Sequence, residues 1–114
     1  MAPRRKPSGS GPDPDAWYAL KNFVEGLYDE MDKLYKKAPT TPLSDLATKR
    51  VNRGISEAKS LLGPFDVYVS EIEVFVPAGE NPEVRDAVLV LREIMQGLQR
   101  VNELFKLALQ RMGW

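Results

Sequence analysis

Carboxylates supply the chemistry this sequence assembles most readily. Glu25, Asp29 and Asp32 recur at i, i+4 and i+7, Glu83 and Asp86 stand three apart, and Glu71 and Glu73 lie between the groups. Acidic side chains at such spacing on facing helices hold Mg²⁺ in all-α nucleotide hydrolases. The same residues have simpler roles. The Glu25/Asp29/Asp32 stripe falls opposite the apolar series Trp17–Leu34 and is expected to face water. Glu83 and Asp86 fall where a helix begins, and acids there complement the helix dipole. Solvated faces are therefore the expectation, and a carboxylate–magnesium hydrolase ranks last among three functional readings. No catalytic, cofactor-binding or metal-ligating residue is assigned.

Other chemistries are excluded by composition. The 114 residues include no His and no Cys. That removes thiol nucleophiles, Cys-ligated zinc and iron–sulfur clusters, together with the commonest general base and metal ligand. Gly9-Ser10-Gly11 follows no strand, and no Gly-Lys-Ser/Thr is present, so phosphate-loop chemistry is not expected.

Two further sets of residues suggest binding rather than catalysis. Lys49, Arg50 and Arg53 cluster on one stretch, and Arg4, Arg5 and Lys6 form a basic arm; together they are candidate anion or nucleic-acid contacts. Residues 13–114 nevertheless carry a net charge of −3, and no aromatic residues interleave with these bases. A solvated or ion-paired face is the plainer expectation. The second set lies in the last quarter: Val90, Asn102, Leu104, Leu107, Leu109, Met112 and Trp114 are candidate interface residues. Asn102 interrupts an apolar seam between Leu98 and Phe105, where a polar side chain can fix register or oligomeric state. Alternatively the seam rotates and Val101 takes the inward place.

The elements that position these residues are helices. Asp13 followed by Pro14 reads as a cap and first helical residue. Trp17, Leu20, Val24, Leu27, Met31 and Leu34 then alternate steps of three and four. Phe23, Tyr28 and Tyr35 widen that face, which implies two neighbouring helices. Lys36, Lys37 and Pro39 mark the end. A second helix is expected from Thr41 as cap and Pro42 as first residue to a left-handed Gly63, with a close helix contact at Gly54. Residues 65–76 mix strand-forming residues with helical spacing and are expected to form a short helix. The last helix is expected from the Asn81 cap over Pro82–Met112, roughly 46 Å, against roughly 36 Å for Pro14–Lys37. It would outreach its neighbours and leave apolar residues in need of cover.

The expected fold is thus all-α: an antiparallel helical bundle of three long helices plus one short helix at 13–114, with a disordered basic arm at 1–12. No apolar run approaches the ~20 residues of a membrane helix. Equal numbers of basic and acidic residues, 16 each, conceal segregation. Residues 33–59 are basic and residues 66–93 acidic, a pattern that bears on association. The leading functional expectation is a non-catalytic, cytoplasmic helical interaction module. It would be homo-oligomeric or a small subunit of a larger assembly, with no cofactor and no membrane contact. The alternative is a nucleic-acid-associated accessory subunit using the arm and Lys49, Arg50 and Arg53.

Overall fold

A computed structural model describes residues 11–75 and 82–107. The described chain is all-α: α1 (Pro14–Lys37), α2 (Asp45–Leu62), the single turn α3 (Val67–Ser70) and α4 (Val84–Phe105). The basic arm lies outside the described residues except for Gly11 and Pro12. Those two belong to the folded part: Pro12 is buried, and Gly11 lies so near Phe105 that a Cβ there would collide with its ring.

The α1 helix follows its local signals. The Asp13 side chain accepts a hydrogen bond from the Ala16 N–H at 2.9 Å, and Pro14 occupies the first turn. Trp17, Leu20, Val24, Leu27 and Met31 are buried, as the spacing requires, whereas Leu34 is half-exposed. The Trp17 indole N–H donates to the Leu98 carbonyl of α4 at 3.0 Å, so a large apolar body enters the core without an orphaned polar atom.

The next two helices start later than their prolines suggest. Thr41 and Pro42 do not open α2; Ser44 is its cap, with its hydroxyl accepting from the Ala47 N–H at 3.1 Å. Pro82 does not open α4 either, since the helical residues begin at Val84 after Glu83, and Asn81 lies outside the described residues. The reason is tertiary. Residues 39–43 lie alongside 82–85, joined by Leu43 N–H to Pro82 O (2.8 Å), Val84 N–H to Thr41 O (2.9 Å) and Arg85 N–H to Pro39 O (3.0 Å). The last two bonds satisfy donors that a helix start leaves unpaired. Asp86 completes the cap by accepting from the Glu83 N–H at 2.8 Å.

These contacts set the topology. The starts of α2 and α4 meet at one end of the bundle, and Asp66 meets Arg100 at the other, 2.8 Å apart. So α2 and α4 run in the same direction, and α1 is antiparallel to both. The chain leaving α2 must climb back the length of the bundle before α4 begins. Residues 66–75 begin this return between α2 and α4, with one turn as α3, and residues 76–81 lie outside the described residues. This strap contributes buried Val69 and partly buried Ile72 and Phe75 to the core. The short helix expected over 65–76 is reduced to the single turn Val67–Ser70; residues 72–75 adopt no regular structure, and Val76 lies outside the described residues.

Two residues admit the strap. At Gly97 on α4, a Cβ would collide with the Val69 side chain and come within 2.8 Å of an Asp66 carboxylate oxygen. Gly54, expected as the close contact, is looser; a Cβ there would meet the Phe23 ring at an ordinary 3.4 Å. Asn52 of α2 faces Phe75 and bonds both of its backbone groups. Its amide nitrogen donates to the Phe75 carbonyl and its oxygen accepts from the Phe75 N–H, each at 2.7 Å.

Two helix ends differ from expectation. Gly63 is right-handed (φ −52°), and its N–H continues the α2 pattern to the Lys59 carbonyl at 3.1 Å. The left-handed residue is Lys106 (φ 56°), which stops α4 one residue after Phe105. The described α4 helix thus has 22 residues against 24 in α1; Leu107 is again helical, and residues 108–112 of the expected helix lie outside the described residues.

Gly97→Ala should destabilise the fold by at least ~2 kcal/mol, because overpacking against Val69 adds to crowding of a buried carboxylate. Gly26→Ala, where a Cβ meets nothing within 4 Å, should stabilise it by up to ~1 kcal/mol. Urea unfolding of both variants checks the pair. Asn52→Ala should cost ~2–3 kcal/mol, since it leaves two backbone groups of Phe75 without partners, and limited proteolysis should then cut the strap sooner.

Candidate interaction surface

The basic cluster is largely engaged within the bundle. Arg50 pairs with Glu30 of α1 at 3.1 Å. Arg53 pairs with Glu57 at 2.9 Å and lies over the Phe23 ring, 5.1 Å from its centre. Both therefore brace the α1–α2 seam. Lys49 is exposed, and Arg4, Arg5 and Lys6 lie outside the described residues. The structure does not gather the six bases into one described surface.

The acids are dispersed in a comparable way. Glu25 pairs with Lys21 at 3.0 Å and Asp32 with Lys36 at 3.2 Å, each along α1, and Asp29 is exposed. Asp86 caps α4, and Glu83 pairs with Arg85 at 2.8 Å. Among the described residues, no group of three acids is arranged to hold a metal ion.

The expected interface residues divide. Leu109, Met112 and Trp114 lie outside the described residues. Leu107 is fully buried, because the left-handed Lys106 turns the chain and returns Leu107 to the core. It is a core residue. Val90 is partly buried against the core. At Asn102 the seam does rotate: Val101 is fully buried, and Asn102 is half-buried at the rim of an open groove of about 440 Å³ between α1 and α4. Trp17, Met95 and Leu98 contribute to that groove, and Lys21, Arg92 and Gln99 lie around it. Arg92 donates to the Tyr28 hydroxyl at 3.4 Å, a contact that holds its guanidinium above the ordinary arginine value, with Tyr35 and Asp32 adding to the effect.

Leu104 stands apart, 65% exposed on the last turn of α4. It belongs to a surface built at the end of the bundle where α2, the strap and α4 converge. Phe65 packs edge-to-face on Phe105, ring centres 5.2 Å apart, with 36% of its surface still exposed. Tyr68, 58% exposed, lies beneath the Arg100 guanidinium, 4.9 Å from the ring centre. Arg100 also donates to Asp66 at 2.8 Å, and its Nε is buried without an acceptor. Asp66 is only 7% exposed, and this charge-assisted bond compensates its burial. Phe65, Asp66, Arg100, Glu103 and Leu104 together line a shallow depression of about 360 Å³.

Sequence spacing did not single out Phe65, Tyr68 or Arg100. Phe65 and Tyr68 read as part of an apolar stripe, and the aromatic–Arg stack forms only when α4 comes alongside. No protein-family model, curated protein or solved structure matches the chain. No helix among the described residues is long and apolar enough to cross a membrane.

Leu107→Ala should cost about 2–4 kcal/mol of unfolding free energy, the usual result of truncating a buried leucine. Leu104→Ser should shift stability by less than about 0.5 kcal/mol. Chemical denaturation of the two variants separates core from surface.

Proposed function

We propose that this chain is a non-catalytic intracellular helical protein–protein interaction module, either self-associating or a small subunit of a larger assembly. The observation that carries the reading is the surface formed by Phe65, Tyr68 and Leu104. Three large apolar side chains there remain exposed in a continuous group around the Arg100–Asp66 pair. Single exposed leucines are ordinary on a protein surface; a group rimmed by charge marks contact with another molecule. Its aromatic residues and Arg are the types enriched at interface centres.

Support also comes from where the charged residues are spent. Glu25 and Asp32 pair along α1, Asp86 caps α4, and Arg50 and Arg53 brace α1 against α2. Such placements favour binding over catalysis, and a protein surface over a nucleic-acid one.

A photo-crosslinking side chain placed at Leu104, with a control at Lys49, tests the reading in the native host. Adducts to protein should form at position 104 well above those at 49. Equal yields at the two positions would contradict it.

A further inference from the structure

We infer that the protein meeting this surface is a second copy of the same chain, in a two-fold symmetric contact centred on the last turns of α4. The inference rests on the interaction-module reading and adds the identity of the partner.

Charge is the first reason. The surface is neither acidic nor basic. Exposed Glu103 forms no ion pair among the described residues, and it lies three residues from Arg100, whose side chain remains 38% exposed despite its bond to Asp66. A strongly charged partner would leave one of the two unmatched. In a two-fold contact, residue i meets residue j and j meets i. Two α4 ends crossing antiparallel place Glu103 of each copy by Arg100 of the other. Both pairs form from one arrangement, and Leu104 and Tyr68 of each copy then cover the apolar centre.

Area is the second reason. The exposed parts of Phe65, Tyr68 and Leu104 amount to roughly 300 Å² per copy, within the size of a functional surface patch but well short of an obligate interface. A separately stable bundle that pairs reversibly fits that area. The core closes without the contact, since the buried side chains of α1, α2, the strap and α4 form one cluster.

Sedimentation of the full chain from about 10 µM to about 1 mM reads the association directly. The parent should move from monomer toward dimer, and higher salt should weaken the dimer. Glu103→Lys and Leu104→Glu should each weaken association by about tenfold or more while circular dichroism melts stay unchanged. Glu103→Gln, the milder variant, should weaken it less. Leu46→Glu, at an exposed leucine at the opposite end of the bundle, should associate like the parent. A parent that stays monomeric throughout, association that ignores both Glu103→Lys and Leu104→Glu, or loss with Leu46→Glu would overturn the inference. A monomer that still crosslinks to a different protein at position 104 would overturn the second copy alone and leave the interaction-module reading standing. Equal crosslinking at positions 104 and 49 would remove that reading as well.

Discussion

Two long helices, α2 and α4, point the same way, and most of the architecture follows from that. An antiparallel neighbour is reached by a short turn. A parallel one requires the chain to travel the helix length again before it can start. Here the described part of that return, residues 66–75, is laid between the two helices. The groove would otherwise expose apolar surface, and the strap would otherwise be an unanchored loop; each covers the other. Gly97 supplies the room, and Asn52 replaces the hydrogen-bonding partner that an extended segment lacks when no strand runs beside it.

The same return path creates the exposed surface at the α4 end. The chain turns after α2 through residues 63–65, is extended at Asp66 and presents Tyr68 outward just where α4 carries Arg100 and Leu104. Asp66 is drawn into the bundle and must be compensated, so Arg100 bends toward it and becomes held over Tyr68. A structural requirement of the crossover thus preorganises a flat aromatic–guanidinium element. Side chains that are already ordered lose less entropy when a partner arrives.

Local signals in the sequence were reliable where the structure kept them local. The Asp13-Pro14 opening and the Trp17–Met31 spacing of α1 needed no distant partner, and both stand. The two later cap-and-proline openings failed because residues 41–43 are spent on pairing with residues 82–84, far along the chain: Thr41 with Val84, Pro42 with Glu83 and Leu43 with Pro82. The end of α4 was equally hidden. Lys106 adopts a left-handed conformation that lysine does not advertise, so a helical spacing read through to Met112 gave Leu107 an outward role. At Asn102 one of the two readings, rotation of the seam toward Val101, matches the burial. Asn52, Gly97 and Arg100 act through contacts that exist only once the strap is in place. For that reason the candidate surface was legible in one residue, Leu104, and not in its aromatic half.

The carbonyls of Pro39 and Thr41 that receive the first N–H groups of α4 impose an order in time. They belong to the link between α1 and α2, so the cap of the last helix is made by chain that is synthesised long before it. A nascent chain emerging from the ribosome exposes Pro39 and Thr41 before Val84 and Arg85 are made. The strap rests on both α2 and α4, so its seat is complete only when α4 is in place. The first turn of α4 is capped both by its own Asp86 and by carbonyls of the α1–α2 link. The acceptors for the first N–H groups of α4 thus lie far upstream in the chain of the donors they meet.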